Sequence, residues 1–369
     1  MIDFECTIIG AGVIGLAIAR RLGQHKRNIL ILEKNSSFGE ENSSHNSGVI
    51  HAGIYYKQNS MKAKHCNKGK KLLYEYAKER GINYSRCGKL IVATSKDEVE
   101  KLMLIKSIAL KSGNILKELD KYAVKSIEPE INCKKALLSE NTGIIDVYEL
   151  MLNLTGDVEN QRGTILYNNS FSRAEIGNKY VTVFNNRNEK VKTSFLINCA
   201  GLHSTTVAKN ILGTSFQVPE VRFVKGNYMK LIGKNNFKKL IYPIPSEDGL
   251  GIHLTLNLNG EVIFGPDTEE VKVINLLMKR NLAIKFQESI KKYWPEIKNR
   301  KIVNDYCGIR PKIQSNDFMI QNGIERNEKI INLHGIESPG LTSSLSIGNF
   351  IGDIVNKSLK NVYKESLKV

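Results

Sequence analysis

No stretch of this 369-residue chain is long, apolar and uncharged enough to read as a transmembrane helix. The early apolar segment, Phe4 to Ala19, follows Asp3 and Glu5 rather than Lys or Arg and is broken by glycines. It therefore reads as a buried strand feeding a helix, not as a secretory signal. Cysteine pairing is also missing. Cys6, Cys66, Cys87, Cys133, Cys199 and Cys307 form no C-x-x-C pair, which argues against a zinc site and a disulfide framework. A reducing, cytoplasmic setting is the expectation. The 8 prolines make no spacer, and repeats and low-complexity linkers are absent, so two lobes interleaved in sequence are expected rather than two joined by a tether. Acidic residues are in deficit, 37 against 54 basic, for a net charge of +17. Such charge favours anionic substrates, an anionic membrane surface or nucleic acid. The lysines are spread along the chain, however. Clusters such as Lys68, Lys70, Lys71 and Lys357, Lys360, Lys364, Lys368 read as solvated helix faces. No basic stripe interleaved with exposed aromatics is present, so nucleic acid is not an expected partner. Weak peripheral attachment to the inner face of a membrane stays open.

The strongest local pattern lies at the start. Residues 4–9 form an apolar run, followed by Gly10-Ala11-Gly12-Val13-Ile14-Gly15 and a helical pattern with Ile14, Ala17 and Ile18 on one face. Ile29 to Leu32 is then a near-continuous apolar strand of the kind found in a parallel sheet covered on both faces. It ends at Glu33, eighteen residues beyond Gly15, with Lys34 next. This is the βαβ dinucleotide fingerprint. Gly10 permits the tight turn, Gly12 lets backbone approach a pyrophosphate, and Gly15 lets the helix pack close to the sheet. The pyrophosphate sits on the helix N-terminus, and Glu33 accepts hydrogen bonds from ribose hydroxyls.

Further along, the pattern predicts helices over 61–80, 99–111 (with a Ser95/Glu98 capping box and Gly113 as the stop) and 148–162. It predicts strands at 89–93, 164–168, 180–184 and 194–199, the last leading to Gly201. From about 220 it turns to β, with strands at 222–231, 239–244, 249–256 and 261–265 and a hairpin signal at Asn259-Gly260. A helix is expected over 271–293, a strand at 329–334 and a final helix from about 341 to 359. Two polar segments stand out. One runs from Glu41 to Tyr56 and includes Ser43, Ser44, Asn46, Ser47 and His51. The other, His334 to Ser344, leads from a strand into the last helix.

Together these stretches resemble the D-amino-acid-oxidase/glycerol-3-phosphate-dehydrogenase superfamily of FAD enzymes. The carriers are the glycine fingerprint with Glu33, the Ser43-to-Gly48 loop, and the Gly340-Leu341-Thr342-Ser343 helix start. Several stretches further resemble the L-2-hydroxyglutarate dehydrogenase/oxidase family: Asn46 to Tyr56, Tyr242-Pro243-Ile244-Pro245, Leu250 to Thr255, Gly265-Pro266-Asp267, Gly308-Ile309-Arg310-Pro311-Lys312, and His334 to Ser344. The chain departs from it at Leu256 to Asn259, where an Arg is expected, and at Glu269-Glu270-Val271.

That resemblance implies an α/β fold: a Rossmann-like FAD lobe interleaved with a mostly antiparallel β-sheet substrate lobe. Residues 1–84, 141–215 and 308–369 are expected in the first, 85–140 and 216–307 in the second. It implies oxidation of L-2-hydroxyglutarate to 2-oxoglutarate; as electron acceptor, oxygen, a quinone or a carrier protein would each fit. The expected cofactor contacts are Gly10, Gly12, Gly15, Glu33, Lys34, Ser43, Ser44, Asn46, Ser47, Gly201, Gly340, Leu341, Thr342 and Ser343. The last helix would place its positive end at the flavin's N1–C2=O edge. Oxidising a secondary alcohol needs a base for the hydroxyl proton, and His51 and His253 are both candidates. Arg310 suits bidentate binding of a carboxylate. A dicarboxylate needs a second clamp, for which Arg222, Lys225 and Tyr56 stand open. The competing readings are an amine or amino-acid oxidase of the same superfamily and, further off, an RNA-directed or non-catalytic flavoprotein.

Overall fold

The computed structural model describes residues 1–245, 251–326 and 328–366, the side chains of 325 and 361–366 excepted. Leu250, Lys368 and the Lys364 side chain therefore lie outside the described residues. The chain opens as its pattern predicts. Strand β1 (Phe4–Ile9) leads into helix α1 (Val13–Gln24) and strand β2 (Ile29–Leu32). β1 pairs in parallel with β2 on one side and with Lys190–Asn198 on the other. Thr164–Leu166 extends this parallel sheet beyond β2, and Ile330–His334 extends it beyond Asn198. Antiparallel strands Phe171–Ile176 and Val181–Asn185 continue from the first half of Lys190–Asn198. The result is a mixed, mainly parallel 9-stranded sheet.

One face of that sheet is covered by α1, Met61–Arg80, Val147–Asn160 and the last helix, Gly340–Ser366. Their apolar stripes meet in a core around Leu16, Leu22, Leu73, Leu154, Ile347 and Ile351, each no more than 1% exposed. The opposite face is closed by a smaller cluster with Val181, Val207 and Ile330. Both faces are covered, which is why β1 and β2 read as continuous rather than alternating apolar runs.

A second 9-stranded sheet is almost wholly antiparallel; its parallel pairing joins Lys89–Ala93 to Leu240–Pro243. The chain enters this sheet at 89–139, leaves it, and returns at 221–313, so the two lobes are interleaved as expected. The helix over 61–80 and the Ser95/Glu98 capping box stand where the sequence puts them, and the helix expected over 99–111 starts at Lys96.

Two expectations are corrected. The helix over 271–293 is confined to Ala283–Ile290. Glu269–Val271 instead pairs as an edge strand with Phe223–Lys225, and Asn281 takes a left-handed φ of 63° that stops a helix from running through it. The expected lobe boundary at 307/308 falls inside a twelve-residue strand, Ile302–Ile313, paired along its length with Val221–Leu231. Arg310 therefore belongs to the second sheet. Pro311 is tolerated because this is an edge strand.

Candidate functional site

A continuous cleft with a cavity volume of ≈ 410 Å³ runs between the two sheets, within the range of small-molecule and cofactor sites. One end is built by the fingerprint. After β1 the chain turns at Gly10 (φ 101°). A Cβ at Gly15 would overlap the Gly10 carbonyl oxygen, so strand and helix stand too close for any side chain. Gly12 caps α1 with no side-chain bond, which leaves N–H groups facing the cleft. Ser43 Oγ accepts from Val13 N at 3.0 Å and ties the polar loop to this helix end. Glu33 is 6% exposed; its Oε2 accepts from Ala11 N at 2.7 Å and its Oε1 from Asn35 N at 2.9 Å. Each oxygen keeps a lone pair for a hydroxyl of a bound ligand. At the mouth, Lys34 Nζ lies 2.6 Å from Glu41 Oε1 and 2.9 Å from His203 Nε2. Burial acts to raise the Glu41 carboxyl, but the hydrogen bonds from His203 and Lys34 hold it below the usual range.

The other end carries the titratable groups. His51 follows the short strand Val49–Ile50. Its N–H donates to Thr342 Oγ1 at 3.0 Å, and Thr342 Oγ1 donates to the Val49 carbonyl at 3.3 Å. The last helix thus pins the backbone that carries His51. The ring's Nε2 lies 3.3 Å from Ser338 Oγ. Burial, and then the Lys89 ammonium, push this imidazole down to about 3, so it is neutral around pH 7. His253, 5% exposed, lies flat on Tyr242 with centroids 3.5 Å apart. Arg310 donates from Nη2 to the Asp267 carbonyl at 3.3 Å. The Asp267 carboxylate is engaged by Asn227 and Lys285. No carboxylate of the described residues pairs with the Arg310 guanidinium, which is therefore available to an incoming anion.

Most expected site residues converge on this cleft: Gly10, Gly12, Glu33, Lys34, Ser43, Asn46, Ser47, His51, Gly201, His253, Arg310, Gly340 and Leu341 all line it. Four do not. Gly15 lies beneath the turn. Ser44 is exposed and bonds to the Glu41 carbonyl. Thr342 and Ser343 are fully buried on the helix's inner side. Sequence reasoning included Glu41 only as the start of the polar segment and missed His203 at the mouth, and also Tyr228, whose ring stacks on Tyr306 at 4.5 Å while Tyr306 donates to the Asn46 carbonyl. No local signal marks them; they meet through the packing of separate strands and loops.

A family model for FAD dependent oxidoreductases matches residues 5–354. The chain belongs to this family. It is 37% identical to the mitochondrial L-2-hydroxyglutarate dehydrogenase of Arabidopsis thaliana, over 95% of this chain and 83% of that protein. It is 29% identical to a glycerol 3-phosphate dehydrogenase of Caloramator mitchellensis, over 98% and 76%. Among solved structures, L-alpha-glycerophosphate oxidase from Mycoplasma pneumoniae with FAD bound superimposes with a TM-score of 0.86 at 24% identity, over 96% of this chain and 94% of that one. The protein is an enzyme of the family and its cofactor is FAD. The cleft fits that group. The α1 N-terminus, whose Gly12 brings no side chain between backbone and ligand, suits a pyrophosphate, Glu33 suits a ribose, and the Gly340 end of the last helix opens on the cleft beside His51.

Proposed function

We propose that the protein oxidises L-2-hydroxyglutarate to 2-oxoglutarate. The observation that carries this reading is that a neutral imidazole, His51, and the Arg310 guanidinium, without a carboxylate partner among the described residues, open on one cleft with the dinucleotide fingerprint. The identity with L-2-hydroxyglutarate dehydrogenases supports the choice of substrate. In this reading FAD, when bound, supplies the hydride acceptor for C2. Arg310 holds a carboxylate by its guanidinium fork. His51 or His253 takes the hydroxyl proton, His51 being in its neutral form around pH 7. Thr342 holds His51 in place, and Tyr242 fixes the plane of His253. Residues 1–84, 141–215 and the chain after Ile313 would form the FAD lobe, with 85–140 and 216–313 over the substrate. Electrons then pass to oxygen or a quinone. No helix of the described residues is long and apolar enough to cross a membrane.

The test is anaerobic. The FAD-loaded protein is mixed with L-2-hydroxyglutarate, its D-enantiomer and glycerol 3-phosphate, and the visible spectrum is followed. Bleaching by the L-hydroxy acid alone is expected. Bleaching by glycerol 3-phosphate and not by the hydroxy acid would overturn the reading.

A further inference from the structure

Lys89 begins a strand of the second sheet, yet is 1% exposed. Its Nζ lies 4.4 Å from the centroid of the Tyr242 ring and 4.9 Å from that of Tyr55. No carboxylate of the described residues pairs with it. A buried ammonium without a counter-ion is costly, and two ring faces return only part of that cost. The position borders the cleft: Tyr242 and His253 both line it, Tyr242 touches Lys89, and the charge on Lys89 is felt at His51.

Lys89 itself stands behind Tyr242 rather than in the cleft lining, whereas Arg310 lines the cleft from across the same sheet. The Arg310 guanidinium reaches Asp267, just past the strand Val262–Gly265. Tyr242 is on Leu240–Pro243, and the strand His253–Leu256 lies between the two. From Asp267 to the Tyr242 ring that Lys89 Nζ meets is two strand spacings, roughly 10 Å, with the Lys89 backbone one strand further out. A five-carbon dicarboxylate spans about 5 Å between its end carbons, with about 3 Å of hydrogen bond at each end. The second clamps suggested by the sequence are otherwise occupied. Arg222 is exposed and pairs with Glu270, Lys225 donates to the Leu277 carbonyl, and Tyr56 is bonded to Ser338.

We infer that Lys89 is the specificity-determining cation for the second carboxylate, selecting dicarboxylic 2-hydroxy acids over monocarboxylic ones while Arg310 holds the first. This rests on the 2-hydroxy acid reading above. Burial pushes the Lys89 ammonium down to about 7, so an arriving carboxylate draws a proton onto it.

The experiment compares FAD-loaded wild type, Lys89→Met and Lys89→Arg, each first checked for retained flavin. Anaerobic reduction is measured with L-2-hydroxyglutarate and with the monocarboxylate L-2-hydroxybutyrate. Lys89→Met is expected to lose about 100-fold in efficiency on the dicarboxylate, to change little on the monocarboxylate, and to be partly rescued in Lys89→Arg. Equal losses on both substrates, or none on either, overturn the proposal. Binding of glutarate, which has no hydroxyl to oxidise, is measured by calorimetry in two buffers of different ionisation enthalpy. Proton uptake in wild type that is absent from Lys89→Met supports it; uptake unchanged in Lys89→Met overturns it. If neither hydroxy acid reduces the wild type, the proposed activity fails. A wild-type preference for glutarate over butyrate that Lys89→Met abolishes would then still support the role of Lys89, and its persistence would overturn it.

Discussion

His51 and Arg310 owe their chemistry to what surrounds them. An imidazole in water titrates near 6.5; burial, with Lys89 behind it, takes His51 to about 3. Its folded value lies far below neutrality, so the base form persists across the physiological range. The rate of flavin reduction at saturating substrate should therefore stay flat from about pH 8 down to about pH 5, whereas a solvent-exposed histidine base would impose a limb near 6.5. If His51 is the base, His51→Ala should slow reduction by about 10²–10⁴-fold while FAD stays bound, as read by anaerobic stopped-flow. An unchanged rate assigns the role to His253. Arg310→Lys keeps the charge but loses the planar fork. It should weaken substrate binding by about 2 kcal/mol or more, roughly 30-fold, with a smaller effect on the rate at saturation. An unchanged apparent KM would remove Arg310 from the site.

Elements matter here through where they touch. The strand Ile302–Ile313 carries Arg310 toward the cleft and also abuts the polar loop of the first lobe. A Cβ at Gly308 would overlap the His45 carbonyl oxygen, so this contact is made backbone to backbone. Gly308→Ala should push the Ser43-to-Ser47 loop off the strand, at about 1–3 kcal/mol for an overpacked contact. The expected result is FAD binding weakened by about 10–100-fold, measured by titrating the apoprotein with FAD; unaltered affinity would show that the loop adjusts without cost. The same strand shows why sequence reading stopped short. Its alternation is broken at Gly308 and Pro311, both of which argue against a central strand. Only pairing with Val221–Leu231 reveals it as a strand. The helix over Met61–Arg80, by contrast, was legible to the residue, because Ser60 caps its start and Gly81 takes the left-handed conformation at its end.

At the scale of the molecule, two histidines outside the cleft join His51 in tying stability to pH. His65 and His334 are 1% and 0% exposed, and burial pushes both imidazoles down to about 4. In the unfolded chain they titrate near 6.5. Between these values the unfolded state binds more protons than the folded one, so stability falls as pH drops from about 6.5 to about 4. Each contributes up to about 3 kcal/mol to that loss. Thermal unfolding followed from pH 8 to pH 4 should show Tm constant at first and then declining below about 6.5. His334→Gln should flatten part of the decline, and an identical profile in that variant would rule His334 out as a contributor.

The sequence by itself determined the dinucleotide end of the cleft. Its chemistry is local there: a turn, a helix N-terminus and an acid at fixed spacing act on one ligand within a single βαβ unit, and strict glycine requirements leave a readable trace. It also placed His51 and Arg310, because both sit in stretches with a strong family resemblance. Lys89 was not legible. Lys-Leu-Ile-Val-Ala reads as an ordinary strand with a solvated lysine at its start. The tertiary structure alone buries that lysine between Tyr55 and Tyr242, using residues from three separate segments. Burial, and the absence of a carboxylate partner among the described residues, are properties of that packing, not of the chain's order, and they decide which charges act on a substrate.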